Sequence, residues 1–199
     1  MYDVDVIYID LDDTVKDTEK YIRKVLSLNG VNEKEIVGTV YRLIDSGTLA
    51  GSLVEDCLNE WGVIPFKSCA YNAIKLLQTE YKIIFCSAYS FNREARAKKA
   101  FAKAMGCDIL LCGKGFNYKD HIDMSDGIFI DDRSDILIRS NAVAKFELFN
   151  PYIFNVYDER DDKTTVIDWY SLVNILLPKS TQEGGILLEK FGGLLCQGV

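Results

Sequence analysis

The sequence predicts an α/β protein, a doubly wound parallel sheet of Rossmann-like type with a small helical segment inserted after the first strand. Three observations carry this. Four short apolar runs, "DVIYI" (5–9), "KIIFC" (82–86), "DILLC" (108–112) and "GIFI" (127–130), are rich in Ile, Phe and Tyr and show no polar alternation. Such runs suit strands covered on both faces. Helical patterns separate the later runs, so strand and helix alternate as right-handed crossovers require. Residues 15–66 alone break the alternation, with helical patterns and no convincing core strand.

Taken in order, the first strand leads into three helical patterns, each ending at a glycine. They are "DTEKYIRKVLSLNG" (17–30), "EKEIVGTVYRLIDSG" (33–47) and "LVEDCLNEWG" (53–62). The chain then returns to the sheet. "CAYNAIKLLQTEY" (69–81) puts Ala73, Leu76, Leu77 and Tyr81 on one face, and "NREARAKKAFAKAMG" (92–106) is a strong helix former with a glycine stop. "SDILIRSNAVA" (134–144) opens on a Ser/Asp capping signal, "KFELF" (145–149) is a fifth strand candidate, and "TVIDWYSLVNILL" (165–177) is a closing helix before Pro178. The expected organisation is a core of residues 1–14 and 67–178, a helical cap at 15–66, and a tail at 179–199. The tail is glycine-spaced yet apolar ("GGILLEKFGGLLC"), which suits an extra packed helix or association into a homodimer.

Composition narrows the classes of function. The 199 residues are 48% hydrophobic, enough for a real core, and carry a net charge of −7. That charge argues against a surface built for a nucleic acid polymer, while leaving room for a single nucleotide in a local cationic pocket. Six scattered cysteines form no CxxC pair, and Cys86 and Cys112 end apolar runs as small buried hydrophobes. The start "MYDVDVIYID" lacks the basic-then-apolar order of a signal peptide, and no apolar run reaches membrane-spanning length. A reducing, cytoplasmic setting is expected.

In open α/β sheets ligands bind beyond the carboxyl ends of the strands. The first strand delivers Asp10, Asp12, Asp13 and Thr14 there, the second Ser87, and the fourth Asp131 and Asp132, with Lys119 in the loop before it. Two unit charges about 4 Å apart repel by roughly 4 kcal/mol at an effective dielectric near 20, so such a cluster calls for a cation. Carboxylates of Asp10 and Asp131 suit Mg²⁺, which takes one or two carboxylates together with substrate phosphate. Lys119 and Ser87 then suit phosphate oxygens. A strand-one carboxylate could attack phosphorus, and a second, two residues on, could shuttle the leaving-group proton.

These residues resemble the motifs of the haloacid dehalogenase-like (HAD) phosphohydrolases. "VIYIDLDDT" is similar to the family's strand followed by Asp-x-Asp-x-Thr, "IIFCS" to its strand ending in Ser or Thr, and "IFIDD" to its final acidic pair. Lys119 best meets the lysine between them, with Lys114 as a rival because Lys119 stands slightly far from Asp131. The resemblance covers residues 4 to about 150. It implies Asp10 as nucleophile and metal ligand, and Asp12 as acid/base offering its backbone carbonyl to the metal. Thr14, Ser87 and Lys119 would bind phosphate and Asp131 would ligate Mg²⁺. The runs "YNAIKLLQTEYKIIFCSA", "IFIDDRSD" and "FELFNPYIFN" look like the 5'(3')-deoxyribonucleotidase branch, which dephosphorylates (deoxy)nucleoside monophosphates beneath a small helical cap. Cap aromatics face the base in that branch; here Tyr21, Tyr41 and Trp61 are candidates. The expected partner is thus a small phosphomonoester, with a sugar phosphate or other small metabolite as the alternative substrate.

Plainer readings apply to the neighbours. Asp13 and Asp17 read as solvated or capping, Asp132 as a cap for the helix near Ser134, and Arg133 equally as a surface ion-pair member or a substrate contact. His121 reads as incidental, and Trp61, Phe66 and Trp169 as core. A phosphoacceptor signalling domain would place its lysine last along the chain, and a non-catalytic binding protein would not need both Asp10 and Asp12.

Overall fold

A computed structural model describes residues 3–113, 119–152 and 164–177. Six parallel strands form one sheet in the order β3-β2-β1-β4-β5-β6. They are β1 (Val6–Ile9), β2 (Lys82–Ala88), β3 (Asp108–Cys112), β4 (Gly127–Asp131), β5 (Ala144–Leu148) and β6 (Thr164–Ile167). The first five fall on the five apolar runs. β1, β4 and β5 are almost wholly buried, which is why they show no polar alternation. β6 is a correction. The helical reading of 165–177 merges two elements, since an edge strand ends at Ile167 and α6 (Trp169–Leu176) starts only after Asp168, whose carboxylate accepts the Ser171 N–H at 2.7 Å.

The crossover helices are α3 (Ala70–Leu77), α4 (Asn92–Met105) and α5 (Ser134–Arg139). α4 stops at Gly106, whose φ of +74° is a left-handed stop that costs glycine little. The expected helix over 134–144 is only six residues long, and its cap position is Arg133. Beneath β4, a Cβ on Gly127 would stand 2.7 Å from the Val6 carbonyl and 2.8 Å from the Tyr8 ring, so the close approach of β4 to β1 requires glycine.

Between β1 and α3 the chain forms α1 (Thr18–Leu28) and α2 (Leu49–Asn59) with short 3-10 turns at Glu33–Glu35, Val40–Leu43 and Trp61–Val63. The single helix expected over 33–47 is therefore two turns. Gly38, at φ +75°, interrupts it. Ile22, Leu26, Ile36, Val40, Val54, Cys57 and Leu58 give these helices an apolar cluster of their own. The incoming and outgoing segments pair: the Asp17 N–H donates to the Pro65 carbonyl and the Lys67 N–H to the Val15 carbonyl, both at 2.9 Å. Between them the buried Lys16 ammonium donates to the Ile64 carbonyl at 2.6 Å and lies 4.3 Å from the Phe66 ring centre and 5.3 Å from those of Trp61 and Phe101. Among the described residues no helix is long and apolar enough to cross a membrane.

Candidate active site

The register of the central strands builds the site. Ile9 lies opposite Ile130 in β4, and the pairing runs one residue further, the Asp10 N–H donating to the Ile130 carbonyl at 2.9 Å. Asp10 and Asp131 therefore leave neighbouring strands side by side. Lys119 closes the gap: its ammonium donates to Asp10 Oδ1 at 2.5 Å and to Asp131 Oδ2 at 2.6 Å, and all three residues are buried. Twelve positions of chain between Lys119 and Asp131 thus suffice. The rival Lys114 lies outside the described residues, as does the tail 179–199.

A third carboxylate joins them. Oxygens of Asp10, Asp131 and Asp132 lie within 4.8 Å of one another, a donor set of the kind a hard divalent cation takes. Asp132 does not cap α5; it accepts from Asn150 Nδ2 at 2.9 Å and from the Thr14 hydroxyl at 3.4 Å. It is Asp131 Oδ1 that accepts the Arg133 N–H, at 3.0 Å. Arg133 itself grips Asp135 with two N–H groups, the ion-pair half of its reading.

The charges in this pocket do not balance. Burial lifts the Asp10 carboxyl well above the usual carboxylate range, Asp131 adds to the effect, and Lys119 opposes it without cancelling it. Burial, with Asp131 beside it, pushes Asp132 up to about 7. Asp13, buried rather than solvated, is also raised, first by burial and then by Asp132. Its carboxylate accepts the Glu19 N–H at 2.7 Å, so the capping half of its reading holds. Among the described residues, Lys119, with Lys67 lowering Asp13 and Asp132, does not offset four acids, and this leaves negative charge that a cation would satisfy.

Asp12 faces elsewhere. Its Oδ1 accepts from the Trp61 indole N–H at 2.7 Å and the Thr18 hydroxyl at 3.0 Å; its Oδ2 accepts from Lys98 Nζ at 2.5 Å and the Ser87 hydroxyl at 3.4 Å. Burial raises this carboxyl, but the Lys98 ammonium and these donors outweigh it, so its pKa lies below the ordinary value. Trp61 is both core, as expected, and a site contact. Trp169 is likewise core, and its indole N–H also donates to the Thr14 carbonyl at 3.0 Å.

Thr14 is fully buried with its hydroxyl on Asp132, and Ser87 is fully buried at the tip of β2. Sequence reasoning passed over Lys98 and Glu94, which form a buried ion pair at 2.6 Å. A signal was present, because Glu94, Lys98, Ala102 and Met105 share the buried face of α4. Of the three cap aromatics, Tyr41 holds a buried hydroxyl without a partner among the described residues, in the field of Asp12, Asp13, Glu19 and Glu94. Tyr21 packs against both the apolar cluster of the inserted helices and the core around Ile9 and Trp61.

No protein-family model matches the chain, and no curated protein matches it in sequence. Solved structures match its fold. YfnB of Bacillus subtilis, described as a HAD-hydrolase bound to magnesium with interdomain movement, is 12% identical with a TM-score of 0.53 over 88% of this chain and 99% of that one. A haloacid dehalogenase-like hydrolase from Streptococcus pneumoniae is 10% identical, with a TM-score of 0.57 over 89% and 100%. A HAD family hydrolase from Deinococcus radiodurans, with bound phosphate and sodium, is 13% identical, with a TM-score of 0.51 over 92% and 96%. The chain has the fold of these hydrolases.

Proposed function

We propose that this chain is a HAD-type phosphomonoesterase that works through an aspartyl phosphate, with (deoxy)nucleoside monophosphates as substrates. The observation that carries the reading is the Asp10–Lys119–Asp131 cluster, in which a strand-tip carboxylate shares one ammonium with a second carboxylate. Magnesium fits the acidic donor set and the unbalanced charge, with Asp10, Asp131 and the Asp12 backbone carbonyl as its holders and Asp132 beside them. When bound, it would neutralise charge on the phosphate oxygens.

The residues divide the remaining work. Asp10 attacks phosphorus, the bond to the leaving oxygen breaks, and Lys119 offsets the charge of the equatorial oxygens. Ser87, whose hydroxyl lies on the Asp12 side of the pocket, donates to phosphate. Asp12 gives its proton to the departing sugar oxygen; water then attacks phosphorus, Asp12 takes the water proton, and Asp10 is released. The low pKa of Asp12 suits the second half, and the negative charge of an incoming phosphate raises it for the first. The Thr14 hydroxyl, expected to meet phosphate, instead braces β1 against Asp132 in our assignment.

Residues 15–66 act as a cap. They carry their own apolar cluster, reach Asp12 through Thr18 and Trp61, and bring the unpartnered Tyr41 hydroxyl towards the acids, where a substrate hydroxyl or base could meet it. A phosphate-release screen with Mg²⁺ across nucleoside monophosphates and sugar phosphates tests the proposal. Preferential turnover of deoxynucleotides is expected. Strong sugar-phosphate turnover with uniformly weak nucleotide turnover would reassign the substrate, and no release from any of them would remove the phosphatase reading.

A further inference from the structure

Lys98 has no part in the reaction described above, yet its charge is fully enclosed, with a side chain 0% exposed. Its three N–H groups meet three acceptors: Asp12 Oδ2 at 2.5 Å, the Ala88 carbonyl at 2.6 Å and Glu94 Oε1 at 2.6 Å. Glu94 is fixed in turn, its Oε2 accepting the N–H groups of Ser90 and Phe91 at 2.8 and 3.3 Å in the loop that leaves β2. A lysine–glutamate pair is an expensive way to pack a helix on a sheet, because apolar residues of similar volume do so without desolvating two charges. The next residues on the same face of α4, Ala102 and Met105, pack in that cheaper manner.

We infer that the Glu94–Lys98 pair sets the direction of the Asp12 carboxylate and that Lys98 is a positioning residue for protonation of the leaving group. The inference rests on the phosphomonoesterase reading and deepens it. Trp61 and Thr18 hold one oxygen of Asp12 from the inserted segment, while Lys98 holds the other from α4. With Lys98 gone, Oδ2 keeps only the long contact to Ser87, at 3.4 Å, and the carboxyl turns out of line with the departing oxygen.

The consequence depends on the leaving group. An alkoxide needs a proton as it departs, whereas a nitrophenolate does not. The test compares wild type, Lys98→Met and the double variant Lys98→Met/Glu94→Gln, which removes the charge Glu94 would otherwise keep unpaired should the single variant fold poorly. Each is assayed with Mg²⁺ on p-nitrophenyl phosphate and on the alkyl phosphomonoester that wild type turns over best. Expected in rapid-quench single turnovers is phosphoenzyme formation slowed about 10²-fold from the alkyl ester but less than about threefold from the nitrophenyl ester, while hydrolysis of the phosphoenzyme, common to both, slows alike. Equal slowing of phosphoenzyme formation from both esters, or no slowing from either, would overturn the role of Lys98; the phosphatase reading would stand if Asp10→Asn is inactive in the same assay. A wild type that releases phosphate from neither ester overturns both.

Discussion

Replacing Asp132 by Asn removes one charge from a buried pocket that holds too many of the same sign. In the metal-free protein its carboxyl is pushed up to about 7 from an ordinary 3.8, a rise of about three units. At about 1.4 kcal/mol per unit, the ionised group costs the fold about 4 kcal/mol. Asn keeps one acceptor for Asn150 but weakens the contact with Thr14, which returns about 1 kcal/mol. The sign follows from the raised folded value: the carboxyl's contribution is fully present below pH 3.8 and is lost as pH rises through about 7. Asp132→Asn should therefore be more stable than wild type by about 3 kcal/mol at pH 8 in EDTA, and by less than about 1 kcal/mol at pH 5. Saturating Mg²⁺ should narrow the gap at pH 8, since a ligand at a hundred times its Kd adds about 2.7 kcal/mol to the form that binds it better. Urea melts at the two pH values, with and without Mg²⁺, measure all of this. A variant no more stable than wild type at pH 8 without metal, or one whose advantage is the same at pH 5, would refute the charge imbalance.

Three further outcomes are expected. Asp10→Asn, which still accepts from Lys119, should fold normally by circular dichroism and lose turnover by on the order of 10⁴-fold or more; substantial remaining phosphate release would rule out Asp10 as nucleophile. Asp12→Asn should slow both formation and hydrolysis of the phosphoenzyme in rapid-quench measurements, whereas a change confined to Mg²⁺ affinity would contradict its acid/base role. Trp61→Phe preserves a ring against Phe101 and Lys16 while removing the donor to Asp12 Oδ1, so kcat should fall about tenfold with little change in melting temperature; an unchanged kcat would show that the indole N–H does not matter.

Much of this was legible from the chain because a parallel sheet writes itself as uninterrupted apolar runs. Five strands could be read that way; of the residues assigned to the strand tips and the Lys119 loop, Asp10, Asp131 and Lys119 meet, while Asp12, with the Ser87 hydroxyl on it, lies against Lys98 and Trp61. β6 was hidden because Thr164–Ile167 is short, lies at an edge with Thr165 and Val166 exposed, and joins α6 through a single residue. Asp132 was read as a cap because an acid just before a helix usually is one; only the tertiary approach of Thr14 and Asn150 shows otherwise. Glu94 and Lys98 were masked by their surroundings, since α4 is rich in Lys, Arg and Ala throughout and two more charges did not stand out. The inserted segment was readable as helical but not in detail, because glycines at 30, 38 and 47, all with positive φ, break it at points where periodicity gives no guide.

The paired backbone at 15–17 and 65–67 means that the inserted helices hang from the sheet by a ribbon rather than by two separate threads. A ribbon resists shear and yields to torsion about its length. Lys16, enclosed by three rings at that joint, adds stiffness, because sliding would drag an ammonium across aromatic faces without the shelter of water. Trp61 contributes one of those rings and also touches Asp12, so any twist of the suspended helices is geared directly to the carboxylate proposed as proton carrier.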